Sequence, residues 1–233
     1  MGGIKIKIPK SLPEQQKIAS FLGSADAWIE NLREQKKFLE SYKKSLMQKI
    51  FSQQIRFKDE KGNNFPEWEE KRLWEVCQKK SSAVSANSLE ENMGEYNIYG
   101  ATGFLKKVDF YQEEEPFISI VKDGAGVGRI LLCEAKSSVL GTLDIIKSKN
   151  KTNLYFLYLL LGRLSFLKYT TGLAIPHIYF KDYSKEKIKI PSLPEQQKIA
   201  DFLTSFDTLL KSKQQQITNT EEWKKGLMQE LFV

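Results

Sequence analysis

Two stretches near opposite ends of the chain repeat an apolar residue at alternating intervals of four and three. The first runs through Ile18, Leu22, Ala25, Ile29, Leu32, Leu39, Leu46 and Ile50, and the second through Ile199, Leu203, Phe206, Leu210, Ile217, Leu227 and Leu231. Sustained 3.5-residue spacing predicts long helices with a coiled-coil seam. Lys36 and Lys43 interrupt the first stripe, and Lys213, Thr220 and Lys224 the second. Each stretch opens with Ser-Leu-Pro-Glu, from Ser11 and from Ser192, which has the spacing of a capping box with proline in the first turn. Each helix should reach roughly 55–60 Å, longer than a small domain needs to cover its own core.

The two stretches are copies of one another. The octapeptide LPEQQKIA stands at 12–19 and again at 193–200, and the same separation of 181 residues matches Phe21-Leu22 to Phe202-Leu203, Asp26 to Asp207 and Leu46-Met47-Gln48 to Leu227-Met228-Gln229. Ahead of each copy, Lys5 to Pro9 mirrors Lys187 to Pro191. Two copies so far apart are too few to stack as a solenoid, so they bracket something else.

Between them the period changes. From about Trp68 to Tyr183, the runs EYNIYG, KKVDFY, FISIVK, GRILLCE and TLDIIK are strand-like and separated by turn formers, Leu154 to Leu167 predicts a buried helix, and AIPHIYF a further extended stretch. Strands followed by a helix predict an α+β domain with a mixed, mainly antiparallel sheet. Residues 57–68 read as a linker. The expected division is therefore a first helix within 1–56, a central domain at 57–186 and a second helix within 187–233.

Composition narrows the setting. The 233 residues are 41% hydrophobic, enough for a substantial core, and the longest apolar run, 14 residues with Arg163 inside it, is too short to span a bilayer. Cys77, Cys133 and the single His177 supply neither a disulfide framework nor a zinc set, which favours a reducing, cytoplasmic setting and predicts no metal. A net charge of +7 suits a polyanionic partner, yet residues 1–56 carry 11 basic against 5 acidic side chains while 57–186 balance at 18 and 18.

Little in the sequence suggests catalysis. The glycine-rich KDGAGVGR, Lys122 to Arg129, lacks the following helix of a dinucleotide loop, because ILLCE after it reads as a strand. Asp123, Glu134 and Lys136 resemble the Asp…Glu-x-Lys metal site of many nucleases, a pattern short enough to recur by chance. No Gly-x-Ser-x-Gly elbow accompanies His177.

Three segments carry a family resemblance: FPEWEEKRLWEV, TTGLAIPHIYFKDYSKEKIKIP and IKIPSLPEQQKIADFL. Through them nearly the whole chain resembles the DNA specificity subunit of type I restriction-modification systems, in which variable target-recognition domains alternate with conserved helical repeats. The resemblance implies that the two helices pair antiparallel, set the distance between DNA half-sites and dock methyltransferase subunits, with a restriction subunit joining through the complex. It implies a non-catalytic chain that binds double-stranded DNA, with S-adenosylmethionine, Mg²⁺ and ATP held by partner subunits. Consistent with that division, the chain shows no Asn-Pro-Pro-Tyr-like tetrapeptide and no S-adenosylmethionine loop. Where a full-length subunit has a recognition domain before each helix, this sequence has only Met1 to Pro9 before the first, which resembles the last strand of one. A half-length form of this kind should read one half of a bipartite site and pair with a second copy. The candidates for DNA contact are Lys79, Lys80, Ser81, Tyr99, Thr102, Lys122, Arg129, His177 and Tyr179. A coiled-coil scaffold for protein partners, and a Mg²⁺-dependent nuclease, are the competing readings.

Overall fold

The structure is a computed structural model that describes residues 9, 11–149, 151–172 and 174–232. The strand expected from the segment before Pro9 lies outside the described residues. In chain order the elements are α1 (Leu12–Phe51), β1 (Glu69–Arg72), α2 (Leu73–Val76), β2 (Cys77–Ser81), β3 (Tyr96–Gly100), β4 (Gly103–Val108), β5 (Phe117–Val121), β6 (Ile130–Cys133), β7 (Ser138–Val139), β8 (Leu143–Ser148), α3 (Leu154–Leu161), α4 (Phe180–Tyr183), β9 (Lys187–Ile190) and α5 (Leu193–Phe232). They fall into two units. One comprises α1 with the stretch to Arg56 and the part of α5 from Asp201 onward; the other is Phe57–Ala200.

In the helical unit the expected seam is the buried face. Ala25, Ile29, Leu32, Ile50, Leu203 and Ile217 are buried, and Ile18, Leu22, Leu39, Leu46, Phe206, Leu210, Leu227 and Leu231 half-buried; Ile199, the remaining residue of the expected seam, is buried and belongs to the Phe57–Ala200 unit. Lys224 pairs with Asp26, Arg33 with Glu221 at 2.6 Å, and Lys43 with Asp207, so residue numbers rise along α1 as they fall along α5. The helices are antiparallel. Of the lysines interrupting the seam, Lys43 and Lys224 find an aspartate on the opposite helix, with their stems along the seam and their ammonium groups at its edge, whereas Lys36 pairs with Glu40 one turn on in its own helix at 3.3 Å.

The octapeptide has a local use in both copies. Gln15 Nε2 donates to Pro9 O at 2.7 Å and Gln196 Nε2 to Pro191 O at 2.8 Å, tying each helix to the proline before it. The caps themselves differ. Ser11 Oγ accepts from Glu14 N at 3.4 Å, whereas the buried Ser192 hydroxyl has no hydrogen-bond partner among the described residues, so the expected second capping box does not form. The Gln196 side chain has a second contact that Gln15 lacks among the described residues, accepting from Asn153 N at 2.9 Å.

The central unit is α+β. A four-stranded sheet has the order β2-β8-β5-β6 and a three-stranded sheet the order β4-β3-β7; every ladder is antiparallel except the two-residue β3–β7 pairing. β5 is buried at all five positions, as a strand covered on both faces should be. One face packs Phe117, Val121, Cys133, Leu143 and Ile145 against Val139, Tyr99 and Leu140 of the three-stranded side. The other carries α3, which lies against β5, β6 and β8. This helix starts at an Asn153 cap and stops at Gly162, eight residues long instead of the fourteen expected. Phe166–Tyr169 form a separate 3₁₀ turn. The expected strand at 106–111 begins and ends three residues earlier, at Gly103 and Val108.

A two-stranded ladder closes the unit. β1, within the FPEWEEKRLWEV segment, pairs with β9, within the KIKI segment, from Glu69 against Ile190 to Arg72 against Lys187. Lys187 meets Glu70 at 2.7 Å, and Arg72 Nη1 donates to Lys185 O at 2.7 Å. A boundary at 186/187 would part β9 from its partner β1, and the central unit extends from Phe57 to Ala200.

Candidate nucleic-acid interface

The candidates lie in four segments, 79–81, 99–103, 122–129 and 171–179, and main-chain and side-chain hydrogen bonds join the last three. The β5–β6 turn is shaped by glycines at positive φ, Gly124 at 91° and Gly128 at 82°, a region that L side chains rarely adopt. Gly124 N donates to Pro176 O at 2.9 Å, Ile178 N to Lys122 O at 3.0 Å, and Asp123 bridges to His177, which joins this turn to the 171–179 segment. On its other side Arg129 Nη1 donates to Ala101 O at 2.5 Å, joining it to the β3–β4 hairpin. His177 and Tyr179 stack edge to face at 5.0 Å, and Lys181 covers the Tyr179 ring at 5.3 Å.

The fourth group arrives through a residue that sequence reasoning missed. Asp144, 4% exposed, accepts from Ser81 Oγ at 3.0 Å and faces Lys122 Nζ at 3.5 Å and Lys79 Nζ at 3.9 Å. The β2–β8 register puts Ser81 opposite Asp144, and strand alternation puts Lys79 on the same face. Lys80 therefore points the other way, toward a second buried carboxylate. Glu113, also 4% exposed, takes Lys80 at 2.7 Å and Lys147 at 2.5 Å. Burial pushes the Glu113 carboxyl up, but the hydrogen bonds and charges of Lys147 and Lys80 outweigh it and hold the group below its ordinary value.

The nine candidates thus divide. Lys79, Ser81, Lys122, Arg129, His177 and Tyr179 belong to the connected set, with Thr102 exposed at the tip of the hairpin that Arg129 holds. Lys80 lies on the opposite face of β2, at Glu113. Tyr99 packs against the core, and burial first of all raises its hydroxyl pKa. Only pairing partners would have separated Lys79 from Lys80 in advance, since both are lysines in one polar run.

The nuclease-like triplet is pulled apart. Asp123 sits at the turn end of the β5–β6 hairpin and Glu134 beyond its far end, where Cys133 pairs with Phe117. Four strand residues separate them, about 13 Å of rise. Glu134 accepts from Asn97 at 3.0 Å and Lys136 meets Glu114 at 3.4 Å. Among the described residues no three His, Cys, Asp or Glu side chains converge as metal ligands.

The helical unit has two unlike flanks. Asp26, Glu30, Arg33, Glu221 and Lys224 line one side of the pair. Exposed Phe21, Trp28, Phe38 and Tyr42 on α1, with Phe202, Leu209 and Trp223 on α5, form an apolar set one position before the seam, in which Phe21 meets Trp223 at 5.9 Å. No helix among the described residues is long and apolar enough to cross a membrane.

Comparison with known proteins agrees with this architecture. Residues 66–219 match the type I restriction modification DNA specificity domain. The chain is 33% identical over 196 residues, 78% of its length and 46% of the relative's, to the MjaVIII specificity subunit of a type I restriction enzyme from Methanocaldococcus jannaschii. It covers 46%, 50% and 57% of the length of three curated type I specificity subunits, and 85% of a putative type I specificity subunit from Mycoplasma pneumoniae to which it is 27% identical. Its fold resembles that of a type I restriction-modification S subunit from M. genitalium, with a TM-score of 0.71 at 20% identity over 96% of this chain and 62% of that one. A chain of another solved type I system gives 0.56 at 17% identity, covering 96% and 60%. The chain belongs to the type I restriction modification DNA specificity family.

Proposed function

We propose that the Phe57–Ala200 unit reads one half of a bipartite site in double-stranded DNA and that the helical pair carries it within a type I complex. The observation that supports this reading most is the joining of the 99–103, 122–129 and 171–179 loops, with Lys79 and Ser81 drawn in through Asp144. Loops braced by a rigid double sheet can present side chains to base edges, while lysines fix register on phosphate. Methyltransferase subunits dock along the exposed apolar flank of the helical pair, whose aromatic content suits a protein interface. Methyl transfer from S-adenosylmethionine, and the Mg²⁺- and ATP-dependent steps, belong to those subunits and to the restriction subunit. Two copies of this chain associate about a twofold axis, so the assembly reads an inverted repeat of one half-site.

Lys122→Ala and Arg129→Ala test the reading of DNA. Each lost bidentate base contact should cost about 1–3 kcal/mol at one position and relax sequence preference there, whereas a lost phosphate contact lowers the salt slope by about one. Binding to a library of duplexes, measured with methyltransferase subunit present, separates the two. If both variants weaken all sequences equally, base readout by this turn is wrong. Methylation mapping of DNA treated with the assembled complex tests the rest: an inverted repeat is expected, and an asymmetric site overturns the two-copy arrangement.

A further inference from the structure

The charged pairs between α1 and α5 are images of each other. Lys43 pairs with Asp207 and Lys224 with Asp26, and in the internal repeat Asp26 corresponds to Asp207 and Lys43 to Lys224. Each bridge is the other one with its helices exchanged. A second α1 laid antiparallel where α5 lies would therefore set its own Asp26 against Lys43 and its own Lys43 against Asp26. The bridge from Arg33 to Glu221 would recur as Arg33 to Glu40, since Glu40 is the repeat equivalent of Glu221.

We propose that α1 is self-complementary, so that two copies of the chain exchange helices and pair α1 with α1 and α5 with α5. This deepens the two-copy reading above and names its contact. Across two copies the exchange conserves the ion pairs: four Lys–Asp pairs remain, and two Arg33–Glu40 pairs replace two Arg33–Glu221 pairs. A swap that conserves contacts makes a dimer at little cost. The exchange also relieves one mismatch. The register of the ion pairs brings Lys36 of α1 level with Lys213 of α5, two like charges on one seam. In the exchanged pairs Lys36 lies level with Leu32 of the other copy, and Lys213 with Ile217.

Asp26→Lys combined with Lys43→Asp separates this pairing from every other. In the α1–α5 pair the double variant sets a lysine at position 26 against Lys224 and an aspartate at position 43 against Asp207, so both bridges become repulsive. Between two α1 helices the bridges re-form with their signs reversed. The full-length variant should remain helical by circular dichroism and dimerise at a concentration about tenfold or more below the unaltered chain in sedimentation. A helical monomer, or a loss of helix at every concentration, overturns the proposal. A second variant does not depend on that fold surviving. Gln35→Cys lies beside its own counterpart only in an α1–α1 pair and beside Gln216 in the α1–α5 pair, and it should give a covalent dimer with a short bismaleimide. A dimer seen by light scattering that links Gln35→Cys chains only to Gln216→Cys chains defeats the α1–α1 contact and leaves the two-copy reading standing. A strict monomer defeats both.

Discussion

Glu113→Gln is expected to lower the stability of the central unit by about 2–4 kcal/mol, somewhat below the loss for a fully buried ion pair. The carboxylate is buried and holds Lys80 and Lys147, yet those ammonium groups keep part of their hydration, with side chains 57% and 36% exposed. The sign of the pH effect follows from the direction of the shift. The folded-state pKa lies below the ordinary 4.5, so this stabilisation is complete above that value and lost as pH falls through the folded-state value. The unaltered chain should therefore lose more stability on acidification below about pH 4.5 than the variant, and the two should converge in acid. Denaturant titrations at neutral pH and in acid give both quantities. A gap that is unchanged in acid would mean that the carboxylate acts by packing alone.

Gly128→Ala should cost about 2–4 kcal/mol and disturb the candidate interface, from two sources that act together. The residue sits at φ 82°, and a Cβ there would stand 2.6 Å from the Phe166 Cβ. Phe166 cannot simply yield, because it is 7% exposed and stacks edge to face on Tyr183 at 5.2 Å. Gly128 N donates to Val121 O at 2.8 Å, closing the turn that carries Lys122 and Arg129. DNA binding should therefore fall along with stability. Gly62→Ala is the control, since it shares a positive φ of 84° but has nothing within 4 Å. Comparable losses in both variants would assign the effect to backbone strain alone, and full binding by Gly128→Ala would remove this turn from the interface.

Sequence alone determined the two helices, their seam and their equivalence, because a 3.5-residue stripe repeats over many turns and each position reports the same face. It also carried the partners of Lys43 and Lys224: Asp207 and Asp26 already stood at matched positions, and only the antiparallel direction was needed to set each against its lysine. Most of the strands were legible as well, since FISIV and LDIIK are apolar runs of strand length. Tertiary structure alone decided which polar residues act together. Glu113, Glu114 and Glu115 are identical in local sequence, but the bridge of Glu113 to Ser137 carries that one inward, to Lys80 and Lys147. Asp144 likewise stands in a strand that reads as ordinary until register places Ser81 opposite it and the β5–β6 turn brings Lys122 within reach. β1 and β9 close the unit although more than a hundred residues separate them. In each case the cause is pairing between segments remote in the chain, where burial and charge are set by what the register puts opposite and the local pattern is silent.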